Sequence, residues 1–164
     1  MPSLKTYCAD VANALKDRNE TIAVAESSSG GLISASLLAT PGASSYYLGG
    51  SVIYTLDARR LLLNIPDEVL QCMTPLSNDY VIQCAQSMRE NLNATWGMAE
   101  IGVAGPTGSR YGHAPGVCAL AVVGPITLTR QIETGSSDRE ANMWRFVEAG
   151  CALLHEAITK ASKL

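Results

Sequence analysis

Apolar residues recur at helical spacing along much of the chain. Near the N-terminus, Leu4, Cys8 and Val11 begin a stripe that predicts an amphipathic helix ending near Arg18. The same period of three to four residues predicts further helices over residues 32–38, 57–63, 77–92 and 138–162, with a short one beginning at Pro66.

Short apolar and β-branched runs predict the strands. These runs cover residues 21–25, 48–55, 96–104, 116–123 and 126–133. Only Gly124 and Pro125 separate the last two, which predicts a hairpin. Helices alternate with the early strands and a hairpin follows them, so we expect a three-layer α/β/α domain with a mixed sheet of about five strands. No repeat or linker-like stretch interrupts the pattern, and residues 1–164 are expected to form one domain.

The composition is that of a globular protein. Hydrophobic residues make up 47% of the 164 residues and charged residues only 16%, which argues against disorder. The net charge of −3 and the absence of a lysine or arginine cluster argue against a nucleic-acid partner. No apolar run has the ~20 residues that a membrane helix needs, and the first residues lack the apolar core of a signal peptide.

The five cysteines are scattered along the chain and show no metal-knuckle spacing. We therefore expect them to be buried, reduced thiols, and we expect neither a metal nor another cofactor. If the source is a eukaryote and the C-terminus is native, Ser162-Lys163-Leu164 is a peroxisomal address; otherwise a cytoplasmic location is expected.

The segment from residue 21 to residue 31 contains the strongest local signal for a binding site. A buried strand is followed by Ser27, Ser28, Ser29, Gly30 and Gly31, after which helical spacing resumes. The first turn of a helix leaves backbone N–H groups unpaired at its positive end, and phosphates, carboxylates or oxyanions bind there. The alternative is that the serines only cap the helix while the glycines permit a tight turn.

Four ordered motifs resemble those of a known family. Residues 25–31 (AESSSGG) are similar to its AESCTGG motif, and residues 41–44 match PGAS. Residues 49–54 (GGSVIY) are similar to GGVVAYS, and residues 102–106 (GVAGP) to GIAGP. Ser137-Asp138-Arg139 is a weaker match to a later GDR landmark. Over residues 4–158 the chain therefore resembles the CinA C-terminal domain family, which includes the stand-alone nicotinamide-nucleotide amidases.

The resemblance implies hydrolysis of the carboxamide of nicotinamide mononucleotide (NMN) to the nicotinate nucleotide and ammonia, without a metal. It places the serine nucleophile at Ser27 and a polarising tyrosine at Tyr54. The family's lysine base, however, is replaced by Arg59, whose guanidinium stays protonated and can bind phosphate but hardly accept a proton. The alternative is a catalytically impaired, nucleotide-binding or scaffold homologue.

Further residues are expected around the site. The substrate-binding set comprises Glu26, Ser28, Ser29, Gly30, Gly31, Gly49, Gly105, Gly108 and Arg145. Backbone N–H groups near Ser29, Gly30 and Gly31 are expected to hold an oxyanion, and Glu26 to orient its motif by hydrogen bonds.

Other positions depart from the family or leave a role open. Ser28 replaces a cysteine, Glu100 an apolar residue and Ile101 a hydroxyl residue, and Arg145 serves in place of a family arginine only if its helix phase allows it. His113 is either a substitute base or a solvated loop histidine. The expected partner is an NMN-like small molecule, and the composition is compatible with a homo-oligomer.

Overall fold

The five strands form one mixed sheet. A computed structural model describes residues 3–164. The strands are Ile22–Glu26 (β1), Tyr47–Val52 (β2), Trp96–Gly102 (β3), Val117–Val123 (β4) and Thr127–Glu133 (β5). They lie in the order β2-β1-β3-β4-β5; β1 is parallel to both of its neighbours, whereas β4 is antiparallel to β3 and β5. The predicted mixed sheet and the β4–β5 hairpin are confirmed.

Helices cover both faces of the sheet and complete the predicted three layers. They are Leu4–Arg18 (α1), Leu32–Leu38 (α2), Leu56–Leu63 (α3), Asp67–Gln71 (α4), Asn78–Asn91 (α5) and Arg139–Ala161 (α6), with a short 3-10 turn at Ala43–Ser45. Helices α1, α2 and α6 share one buried apolar cluster, and α5 shares another with residues from α3 and α4. The apolar faces of β1, β3 and β4 are therefore shielded on both sides.

Local chemistry explains where three of the six described helices begin. The side chains of Thr55, Ser77 and Asp138 accept hydrogen bonds from the backbone N–H three residues later, and so cap α3, α5 and α6. The strand predicted over residues 48–55 ends earlier, at Val52, because Thr55 has become a helix cap.

Helix α5 lies unusually close to the central strand β3. A Cβ atom on Gly97 would lie 2.2 Å from the carbonyl oxygen of Ala85, well inside van der Waals contact. Glycine at this position lets α5 pack against β3.

The cysteines differ from the expectation of five buried, reduced thiols. Cys8 of α1 and Cys151 of α6 form a disulfide with a Cα–Cα separation of 5.6 Å, and Cys72 is exposed. The prediction of reduced thiols fails for Cys8 and Cys151 because packing of α1 against α6 joins residues that are 143 positions apart in sequence. The prediction of burial fails for Cys72, which lies at the exposed end of α4. Both predictions are confirmed for Cys84 and Cys118; burial raises the pKa of Cys84 to about 12 and that of Cys118 well above its ordinary value.

Within residues 3–164, no group of three or more histidine, cysteine, aspartate or glutamate side chains is arranged to hold a metal ion. In the same part of the chain, no helix has the length and apolar character needed to cross a membrane.

Candidate active site

The candidate site lies at the carboxyl edge of the parallel strands. Ser27 follows β1, Tyr54 follows β2 by two residues, and the loop containing Gly105 follows β3. Because these three strands run in the same direction, the segments that follow them meet at one edge of the sheet, where open α/β sheets commonly bind ligands.

A cavity of about 290 Å³ opens at this edge, near the lower end of the size range of small-molecule sites. Ser27 and Tyr54 both line it, so the two residues proposed to carry the chemistry share one space. Three arginines, Arg59, Arg110 and Arg139, also line the cavity, whereas no aspartate, glutamate, histidine or lysine in residues 3–164 does. The lining is therefore suited to an anionic ligand.

Glu100, on β3, holds the serine loop (residues 27–31) in place by hydrogen bonds. Its side chain is fully buried, and its Oε2 accepts hydrogen bonds from the backbone N–H groups of Ser27 and Ser29, both at 2.9 Å. Its Oε1 accepts the hydroxyl of Ser28 at 2.5 Å. None of the salt bridges within residues 3–164 includes Glu100. The cost of burying this carboxylate is therefore offset by its hydrogen bonds.

Glu26 performs a related task at the start of α2. Its carboxylate accepts hydrogen bonds from the backbone N–H groups of Ile33 and Ser34, at 3.0 and 2.9 Å, and from the hydroxyl of Ser34. The hydroxyl of Ser29 lies 2.7 Å from oxygens of both Glu26 and Glu100, so its one proton is shared between the two carboxylates. The expectation that Glu26 orients its motif by hydrogen bonds is confirmed. Glu26 and Ser29 lie behind the cavity and do not line it.

The predicted oxyanion donors are partly occupied. The N–H of Ser29 donates to Glu100, and that of Gly30 donates to the carbonyl of Ser27 at 3.2 Å, so neither is free to bind an oxyanion. The prediction that these two groups hold an oxyanion is therefore wrong, because Glu100 and the turn of the loop already use them. The N–H of Ser28, which lies next to the cavity, donates to no backbone or side-chain atom of residues 3–164.

Arg139 is a site residue that the sequence reasoning missed. Its guanidinium donates to the carbonyl of Gly105 and, from Nη2, to the hydroxyl of Tyr54 at 3.3 Å. Tyr54 itself is 57% exposed. Arg139 thus joins the loops after β2 and β3 to the first turn of α6. The similarity of residues 137–139 to a family landmark was the signal that could have found it.

Arg59 lines the cavity, but its hydrogen bonds point into the protein. Its Nε donates to the carbonyl of Ile53 at 3.1 Å and its Nη1 to the hydroxyl of Tyr80 at 3.0 Å, and the side chain is 8% exposed. The guanidinium carbon also lies 5.6 Å from the centroid of the Tyr80 ring. Burial raises the pKa of Tyr80, although the hydrogen bond and the positive charge of Arg59 act in the opposite direction. Arg59 therefore supports the cavity wall.

Of the remaining predicted site residues, some line the cavity and others lie outside it. Gly105 and Gly108 line it, whereas Gly30, Gly31, Gly49 and Arg145 do not. Gly30 and Gly31 have φ values of +64° and +100°, which the tight turn into α2 requires. Arg145 pairs with Glu148 at 3.0 Å on the exposed side of α6, because two helical residues turn a side chain by about 200°.

The two histidines lie away from the cavity lining. Nδ1 of His113 is 3.2 Å from the hydroxyl of Ser109, while His155 is exposed on α6. Ser109 lines the cavity and His113 does not. The alternative of a solvated loop histidine therefore fits His113 better than the role of a substitute base.

Comparison with known proteins identifies the family of the chain. The family model for the CinA C-terminal domain matches residues 4–158. The chain belongs to this family. A CinA-like protein of Synechococcus sp. (strain RCC307) is 35% identical over 144 residues, which are 87% of this chain and 34% of that protein. One from Synechocystis sp. is 32% identical over 151 residues, 92% of this chain and 36% of that protein.

Solved CinA structures have the same fold. A CinA superfamily protein from Klebsiella pneumoniae 700603 superimposes with a TM-score of 0.89 at 26% identity, covering 97% of this chain and 99% of that one. A competence or damage-inducible protein from Enterobacter asburiae gives a TM-score of 0.86 at 28% identity, covering 96% and 99%. The chain therefore spans nearly all of these solved CinA chains but only about a third of the curated CinA-like proteins above.

Proposed function

We propose that this CinA-family chain is an amidohydrolase of the nicotinamide-nucleotide amidase type, with Ser27 as its nucleophile. The observation that carries the proposal is that, among the described residues, Ser27 and Tyr54 line one cavity together with three arginines and no acidic side chain. A nucleotide phosphate matches that positive charge, and guanidinium groups bind phosphates in a bidentate manner.

In the proposed reaction, the Oγ of Ser27 forms a bond to the carboxamide carbon as its proton leaves. The N–H of Ser28, next to the nucleophile, is the donor available to the developing oxyanion. The C–N bond then breaks and the nitrogen leaves as ammonia after taking up a proton. One water molecule hydrolyses the acyl ester, which releases the carboxylate product and restores Ser27.

Arg139 provides a test of the binding half of the proposal. Replacing its guanidinium in Arg139→Met removes a charged donor from the cavity, so KM for NMN should rise about tenfold or more. Arg145→Met is the matched control, because that arginine lies on the same helix but pairs with Glu148 outside the cavity. An equal effect of the two substitutions would contradict the assigned binding role.

The activity is tested by ammonia release from NMN. The purified protein should release ammonia and form the nicotinate nucleotide, and Ser27→Ala should abolish both. No release above the Ser27→Ala control over a wide range of pH would refute the amidase proposal.

A second candidate is a nucleotide-binding protein without turnover. It is favoured by Arg59, which stands in the lysine position implied by the resemblance and is held by Ile53 and Tyr80. This candidate predicts heat of NMN binding in calorimetry without ammonia release. Arg59→Lys separates the two: activity that appears only in this variant would show that the wild-type chain binds but does not hydrolyse.

A further inference from the structure

The cavity lacks an obvious proton acceptor for Ser27. In the described part of the chain, none of its lining side chains is a lysine, histidine, aspartate or glutamate, and a guanidinium such as that of Arg59 is a poor proton acceptor. A hydroxyl nucleophile nevertheless needs a neighbour that takes its proton.

Ser28 connects the cavity to a buried carboxylate. Ser28 lines the cavity, and its hydroxyl donates to Oε1 of Glu100. Glu26 offers no equivalent path, because its hydroxyl partners, Ser29 and Ser34, do not line the cavity.

The two oxygens of Glu100 have different environments. Oε2 accepts hydrogen bonds from the N–H groups of Ser27 and Ser29 and lies 2.7 Å from the Ser29 hydroxyl, whose single proton lies between Glu100 and Glu26. Within residues 3–164, Oε1 accepts the hydroxyl of Ser28 and otherwise has only the Cys118 thiol as a donor, at 3.7 Å. Oε2 therefore anchors the loop, while Oε1 keeps capacity to accept a proton.

The backbone leaves room for this pair. A Cβ on Gly102 would lie 2.6 Å from the Oγ of Ser28 and 3.1 Å from Oε1 of Glu100. Any larger residue at this position would push into the hydroxyl–carboxylate contact.

We propose that Glu100 accepts the proton of Ser27 through the hydroxyl of Ser28. The inference rests on the proposed serine chemistry. As the bond from Ser27 Oγ to the electrophile forms, the Ser27 proton passes to Ser28 Oγ and the Ser28 proton passes to Oε1 of Glu100. Ser28 is unchanged overall, and Glu100 holds one proton, which returns by the same route to the departing amide nitrogen.

A fluorophosphonate probe tests the relay without relying on a particular amide. It phosphonylates activated serines, and peptide mass spectrometry distinguishes Ser27 from Ser28. Glu100→Gln is close to isosteric: its amide oxygen can keep the two backbone donors while its NH₂ group faces Ser28. Cys118→Ala is the matched control, since it removes the other polar neighbour of the same carboxylate oxygen.

The wild-type chain should be labelled at Ser27. Ser28→Ala and Glu100→Gln should each slow labelling about 100-fold or more, while Cys118→Ala stays within about threefold of the wild type. The double variant should be no slower than the slower single one, because both act on one path.

Three outcomes would overturn the relay. They are labelling of Ser28 in place of Ser27, an unlabelled wild type, and variants that react as fast as the wild type while melting normally. Ammonia release is measured separately on the same proteins. If labelling depends on Glu100 but NMN yields no ammonia, the relay is retained and NMN is not the substrate. If NMN yields ammonia and Glu100→Gln does not reduce that release, the amidase proposal is retained and the relay is refuted.

Discussion

Tyr80→Phe tests whether Arg59 anchors the cavity wall. The substitution removes one oxygen from a side chain that is 1% exposed and leaves the ring in place. The Nη1 of Arg59 then loses the acceptor that it contacts at 3.0 Å. Because the donor is charged and buried, the lost hydrogen bond should cost about 1.5–3 kcal/mol of unfolding free energy.

Urea and thermal denaturation followed by circular dichroism provide the measurement. For a chain of this size, about 2 kcal/mol corresponds to a fall in Tm of about 4–8 °C. Tyr111→Phe is the matched control. Tyr111 is 48% exposed and its hydroxyl can remain hydrated, so its loss should change stability by less than about 0.5 kcal/mol.

A double-mutant cycle with Arg59→Met isolates the pair. If the contact is formed, the Tyr80→Phe effect should shrink by at least about 1 kcal/mol in the Arg59→Met background, since the unpaired guanidinium is then absent. Equal effects of Tyr80→Phe and Tyr111→Phe, or full additivity with Arg59→Met, would refute the anchoring role. Loss of amidase activity in Arg59→Met at unchanged stability would instead indicate a direct part in substrate binding.

Three further predictions follow from packing and from the thiols. Gly97→Ala should lower the unfolding free energy in urea titrations by about 1–3 kcal/mol or more, because its Cβ meets the Ala85 carbonyl; a neutral effect would mean that α5 can move away from β3. At pH 8 the native protein should react with iodoacetamide at Cys72 alone, since Cys72 is exposed while a pKa of about 12 keeps Cys84 protonated; rapid alkylation of Cys84 would contradict its burial. Reducing the α1–α6 disulfide, whose partners lie 143 residues apart, should destabilise the fold by about 3–5 kcal/mol in thermal melts with and without reductant, whereas an unchanged melt would show that the bond is not formed in solution.

The elements of the fold could be read from local sequence. The spacing of apolar residues shows which face of each helix or strand is buried. Capping residues such as Ser77 and Asp138 accept hydrogen bonds from N–H groups only three positions away. These interactions are short in sequence, so the order of helices and strands and the mixed sheet were predictable. The serine loop between β1 and α2 was predictable for the same reason.

The tertiary structure decided which side chains of the site contact one another. Glu100 is 73 residues from Ser27, and Arg139 is 85 residues from Tyr54, yet each pair is joined by a hydrogen bond. Arg59 is turned to Tyr80, and Arg145 to the far side of α6, by packing that no local pattern encodes. Side-chain identity and spacing therefore determined which groups were present, while the register of the strands and the phase of the helices determined which of them meet, because hydrogen bonds act only over a few ångströms in space.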